Sequence, residues 1–115
     1  MKNIIFALPF LLFAFSAQAQ ASTDTTLIVN GVCNMCKSTI EKAAKLEGVS
    51  FAEWELQSLT LRVKFDPEQV DLKAINASIV KSGYDTEFET ASDTAYYKLD
   101  PCCYYRDPNN FHKKK

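Results

Sequence analysis

The chain has 115 residues, 47% of them hydrophobic and 23% charged, with 13 basic against 14 acidic side chains and 4 Cys. That length holds one compact domain and excludes a large multidomain enzyme. The near-zero net charge argues against a nucleic-acid binder working by bulk phosphate neutralisation.

The apolar content is uneven. Between Met1 and Phe15 the only charge is Lys2, and Ile4 to Phe15 is an apolar run broken by Pro9. Ser16-Ala17-Gln18-Ala19 then offers small residues at the −3 and −1 positions of a cut after Ala19. A basic start, a short apolar run and an A-x-A site form the secretory signal pattern. A membrane anchor would need about 20 apolar residues, which this run lacks. We therefore expect residues 1–19 to be a signal peptide, with no stable membrane insertion once it is removed. The mature chain would be periplasmic or secreted, where disulfides can form.

Ala21 to Thr25 reads as a loose leader. Thr26-Leu27-Ile28-Val29 predicts a short strand ending at the turn pair Asn30-Gly31. From Asn34 the period becomes helical, with Ile40, Ala43, Ala44 and Leu46 on one face and Gly48 placed to cap the C-terminus. Ala52, Trp54 and Leu56 alternate with Glu53 and Glu55, and Leu59, Leu61, Val63 and Phe65 alternate with Thr60, Arg62 and Lys64. These runs predict a hairpin turning at Gln57-Ser58 with one buried face. Val70, Leu72, Ile75, Ile79 and Val80 mark a second amphipathic helix closed by Ser82-Gly83, and Tyr84 to Phe88 a last strand. The expected architecture is α+β, a ferredoxin-like βαββαβ fold: a four-stranded antiparallel sheet with two helices on one face. It would occupy residues 20–90, followed by a Cys- and Tyr-containing tail, residues 91–115.

Cys33-Asn34-Met35-Cys36 falls between the first strand and the first helix. Two sulfurs three positions apart at a helix N-terminus can converge on one point. The unsatisfied N–H groups and helix dipole there favour thiolates. Thiolates bind soft ions such as Cu(I) and Zn(II), and a pair alone suits a low-coordinate ion better than four-coordinate zinc. A structural disulfide and a redox-active C-x-x-C are the competing readings. Met35 reads as facing solvent rather than as a ligand.

Asn30-Gly31-Val32-Cys33-Asn34-Met35-Cys36-Lys37, Ile40-Glu41-Lys42-Ala43, Leu46-Glu47-Gly48-Val49, Phe65-Asp66-Pro67-Glu68 and Ser82-Gly83-Tyr84-Asp85 together resemble the heavy-metal-associated domain family. The resemblance implies the fold already derived and a metal held by Cys33 and Cys36, with Tyr84 at a position near the metal loop. It departs from the family's Gly-Met-x-Cys-x-x-Cys loop in having Val32 alone between Gly31 and Cys33, with Val32 expected to pack inward.

Leu99-Asp100-Pro101-Cys102-Cys103-Tyr104-Tyr105 carries the second cysteine pair. A bond between adjacent cysteines is strained, so each looks elsewhere for a partner. The tail can bring Cys102 or Cys103 to Cys33 and Cys36 as further ligands, form disulfides to them, or bind a second metal. Tyr96, Tyr97 and Leu99 would grip the domain. The lone His112 and the terminal lysines read as solvated. The metal-site candidates are thus Cys33, Cys36, Cys102 and Cys103. No catalytic constellation is present, so the expectation is a monomeric soft-metal carrier, not an enzyme. It would take Cu(I) first, with Hg(II) or Zn(II) as the other candidates, and pass it to a membrane metal transporter or efflux component. The alternative is a thiol–disulfide oxidoreductase or redox sensor.

Overall fold

A computed structural model describes residues 22–110. The expected signal segment, His112 and the terminal lysines lie outside the described residues. The element order is β1 (Thr23–Ile28), α1 (Asn34–Ala44), β2 (Val49–Glu55), β3 (Thr60–Phe65), α2 (Leu72–Lys81) and α3 (Asp93–Tyr96), with a 3₁₀ turn at Pro101–Cys103. β3 is the central strand of an antiparallel sheet in the order β1-β3-β2.

β1 begins three residues before the predicted start and absorbs part of the expected leader. Thr23 to Ile28 pair in register with Phe65 to Thr60, and Asp24 is held across the strands by Arg62 at 2.7 Å. Cross-strand pairing thus orders a stretch whose polarity alone reads as loose. In the hairpin, Leu59 belongs to the turn with φ 58, and its carbonyl accepts from the Val29 N–H at 2.8 Å.

The expected fourth strand is reduced to a single antiparallel bridge, Val29 to Thr86. Asn30 N–H donates to Asp85 O at 2.9 Å and Glu87 N–H to Ile28 O at 3.0 Å. The pairing stops there for a local reason. Thr86 Oγ1 accepts from the N–H groups of Phe88 and Glu89, while the Glu87 carboxylate takes the Ile28 N–H at 2.7 Å. Side chains have captured backbone groups that a longer ladder would use, and the chain turns away.

Both helices close onto the sheet. Ile40 and Ala44 of α1, Ile75 and Ile79 of α2, and Leu27, Val29, Trp54, Leu61, Val63 and Phe65 form one core. Ser78 Oγ donates to Ala43 O at 2.7 Å and ties α2 to α1. Asp71 caps α2 by accepting the Ala74 N–H at 2.9 Å. α2 ends at Ser82, with Gly83 at φ +110, as its sequence predicts. α1 differs: Lys45 is its C-cap, and Leu46 and Gly48 belong to the turn that leads into β2. Among the described residues, no helix is long and apolar enough to cross a membrane.

The tail is part of the fold. Ser92 caps the short α3 by accepting the Ala95 N–H at 3.1 Å, and the chain then returns to the loop that carries Cys33 and Cys36. Tyr105 carries the docking. Its hydroxyl donates to Gly83 O at 2.7 Å and accepts from Asp85 N–H at 2.9 Å, while its ring stacks on Tyr84 with centroids 5.5 Å apart. Arg106 binds Asp85 at 2.8 Å and Ala91 O at 2.7 Å and lies over the Tyr96 ring at 4.2 Å. Of the residues expected to grip the domain, Tyr96 is buried and Leu99 packs on the core. Tyr97 is instead 62% exposed.

Candidate metal centre

Asn30 to Cys36 lies over Trp54, whose indole N–H donates to Val29 O at 2.9 Å. Gly31 is required by this close approach. A Cβ there would sit 2.9 Å from the Trp54 ring and 3.1 Å from Cys36 Cβ. Val32 packs inward, as expected, and is 9% exposed. Lys37 bridges Glu41 and Trp54 O, and Glu41 accepts the Trp54 N–H at 2.8 Å. The first turn of α1 is thereby fixed to β2.

Cys33 stands at the N-cap of α1 in extended backbone. Cys36 is fully buried, and its sulfur accepts the Val32 N–H at 3.5 Å. Cys33 Sγ lies 3.5 Å from Cys36 Sγ and 3.7 Å from Cys103 Sγ. The three sulfurs all fall within 4.8 Å of one another, and all three residues are buried. The tail thus delivers one sulfur to the pair on the loop. Cys102, the fourth predicted site residue, is not in this group. It points outward, with its sulfur 3.4 Å from Met35 Sδ and 4.0 Å from Cys103 Sγ. All four cysteines are free thiols, so the disulfide readings find no counterpart in this structure.

The spacing discriminates between coordination modes. With metal–sulfur bonds of about 2.3 Å, a trigonal ion needs sulfurs about 4.0 Å apart and a linear one about 4.6 Å. Cys33 and Cys36 at 3.5 Å would have to open by about 1.1 Å for the linear case, and by about half of that for the trigonal one.

The electrostatics divide the three thiols. Burial works against ionisation of Cys33. The N–H of Cys36, the Cys36 and Cys103 thiols and the N–H of Met35 outweigh it and hold this thiol below its ordinary value. Burial dominates at Cys36 and pushes it up. Cys103 is raised for the same reason, reinforced by the neighbouring Cys36. Tyr84 completes the pocket. Its hydroxyl is buried without a hydrogen-bond partner among the described residues. Burial first, and then the adjacent Cys36 and Cys103, raise its pKa, so it remains a neutral O–H that can donate to a thiolate.

Residues 26–85 match the family model described as "Heavy-metal-associated domain". The chain belongs to the heavy-metal-associated domain family. It is 33% identical over 85 residues to a mercuric transport protein periplasmic component of Shewanella putrefaciens, covering 73% of this chain and 93% of that protein. It is 31% identical over 67 residues to the copper chaperone CopZ of Staphylococcus saprophyticus, covering 57% of this chain and 98% of that protein. The solution structure of the putative copper-ion-binding protein from Bacillus anthracis superposes with a TM-score of 0.56 at 37% identity, covering 60% of this chain and all of that one. The family match ends at residue 85, so the tail that supplies Cys103 lies beyond it.

The sequence reading missed the latch that places Cys103. Arg106 was legible only as one of two arginines in the chain. Its position among Tyr96, Tyr105, Asp85 and Asp93 depends on the tail's path.

Proposed function

We propose that this chain is an exported soft-metal carrier, with residues 1–19 as its signal peptide and residues 20–90 as its metal-binding domain. The cargo is held by Cys33, Cys36 and the tail's Cys103, and is passed by thiolate exchange to a membrane metal transporter or efflux component. The observation that carries this reading is the convergence of three buried sulfurs within 4.8 Å. Three thiolates suit Cu(I) or Hg(II) better than zinc, which takes four protein ligands in structural sites. Likeness to a periplasmic mercuric transport component supports the export reading, and likeness to CopZ supports copper as cargo. Cu(I) is the preferred ion and the monomer the working unit.

Exchange follows from the local chemistry. Cys33 is the thiol of the three nearest ionisation, held low by the Cys36 N–H and the neighbouring thiols. Cys36 and Cys103 release their protons as the ion reaches them, since metal binding requires the thiolate. A partner thiolate reverses the sequence one bond at a time, so the ion is never without sulfur ligands.

Anaerobic titration of reduced protein with Cu(I) should show about one tightly held ion per chain. Cys33→Ser combined with Cys36→Ser should abolish that tight binding. Retention of parental affinity by the double variant, or insulin reduction by the metal-free protein, would overturn the reading in favour of thiol–disulfide chemistry.

A further inference from the structure

Five sulfurs form a continuous path from the surface into the core. Met35 Sδ lies 3.4 Å from Cys102 Sγ, Cys102 Sγ 4.0 Å from Cys103 Sγ, Cys103 Sγ 3.7 Å from Cys33 Sγ, and Cys33 Sγ 3.5 Å from Cys36 Sγ. Its outer end is exposed and its inner end buried: Met35 is 47% exposed, whereas Cys103, Cys33 and Cys36 are 3%, 7% and 0% exposed. The outer end opens on a surface depression of about 360 Å³ lined by Val32, Cys33, Asn34, Met35, Leu56 and Cys102.

We propose that Met35 and Cys102 form an outer soft-metal site that receives a monovalent ion such as Cu(I) at the surface and hands it through Cys103 to the buried three-thiol cluster. The hand-over rests on the carrier reading above, but the outer pair is a separate ligand set. A thioether beside a thiol selects soft ions over hard ones. The pair is held in place from both sides. Met35 is fixed in the first turn of α1, where its carbonyl accepts from Thr39 Oγ1 at 3.2 Å. The Cys102 carbonyl is held by Asn110 Nδ2 at 3.1 Å and faces Cys33 Sγ at 3.9 Å.

Transfer is ligand exchange without redox change. Cu(I) bonds to the Cys102 sulfur, whose proton leaves to solvent, and to the Met35 thioether. Bonds from the ion to Cys103 and then Cys33 form as those to Met35 and Cys102 break. Cys102 regains a proton as the inner thiols give theirs up, and the copper remains Cu(I) throughout.

The test is anaerobic titration of the full chain with Cu(I), followed through the Met methyl resonances. The chain has two methionines, Met1 and Met35, so the Met35 signal is assigned by its loss in Met35→Leu. Wild-type protein should take a second, weaker equivalent that shifts the Met35 methyl. In Met35→Leu and in Cys102→Ser this equivalent should weaken by at least about tenfold, the scale of a lost metal-site group. The tight equivalent should keep its affinity, and its rate of filling from a Cu(I) chelator should fall. A wild-type protein that takes one equivalent only, an unmoved Met35 methyl, or an unchanged filling rate in both variants would overturn the proposal. Cys33→Ser with Cys36→Ser separates the two readings. If it retains the tight equivalent, the carrier reading fails and the outer pair stands as a site. If it loses the Met35 shift along with the tight equivalent, there is no separate outer site.

Discussion

Replacing Cys103 with Ser isolates what the tail contributes. The substitution keeps the side chain's size and removes a soft ligand. The ion is left with Cys33 and Cys36, whose sulfurs stand 3.5 Å apart. Two-coordinate binding prefers about 4.6 Å, so the pair must open by about 1.1 Å. Cys36 cannot yield easily, because it is fully buried and its sulfur accepts the Val32 N–H at 3.5 Å. Loss of a supporting metal-site group costs about 10–100-fold in affinity, and loss of a direct ligand should reach at least that range, about 1.4–2.7 kcal/mol. Competition against a Cu(I) chelator at fixed pH measures the affinity, and X-ray absorption counts the sulfurs. The count should fall from three to two, with shorter metal–sulfur bonds. Equal affinity in Cys103→Ser, with two sulfurs already present in the wild type, would refute the three-thiol site.

Arg106→Ala should reproduce much of this loss from a distance. It removes the half-buried pair with Asp85, and with it the contacts to Asp93 and Ala91 O. The expected cost is about 2–3 kcal/mol in chemical denaturation, together with weaker Cu(I) binding; unchanged binding would mean that Cys103 is not delivered by this latch. Tyr84→Phe deletes a buried hydroxyl that has no hydrogen-bond partner among the described residues. The metal-free protein should gain up to about 1 kcal/mol, while Cu(I) affinity falls because a donor to the bound thiolates is lost. Stability and affinity changing in the same direction would contradict that role. Because Cys36 and Cys103 lie above the ordinary 9.0, both carry protons at neutral pH that the metal must displace. Apparent Cu(I) affinity should therefore rise with a slope of about two log units per pH unit between about pH 6 and 8. Cys33, held lower, adds to the slope at the acid end, and a slope below about one would show that the raised thiols are not ligands. In the metal-free protein these same raised thiols contribute stability in full below 9.0 and lose it as the pH rises further. Its denaturation midpoint should fall on the alkaline side, with the copper-loaded protein less affected.

Most of the domain was legible as periodicity. The alternation from Leu59 to Phe65 and the helical spacing of Ile75 and Ile79 predict β3 and α2, because a buried face is written into the sequence at period 2 or 3.6. The pair Cys33 and Cys36 was legible because three residues of helix fix their separation, whatever the rest of the chain does. The ends of elements were less so. β1 starts at Thr23 because β3 lies opposite, and the last strand stops at Thr86 because its hydroxyl and the Glu87 carboxylate take the backbone groups.

The sequence by itself thus determined the fold class, the C-x-x-C loop and the presence of a second thiol pair. It could not divide that pair. Cys102 and Cys103 are adjacent and chemically identical, and only the docking of Tyr105 and Arg106 onto Gly83 and Asp85 turns one sulfur inward to the loop and the other outward to Met35. Local spacing is set by the backbone geometry of a few residues. A contact spanning 70 positions, such as that from Cys33 to Cys103, exists only once the packing between them has formed.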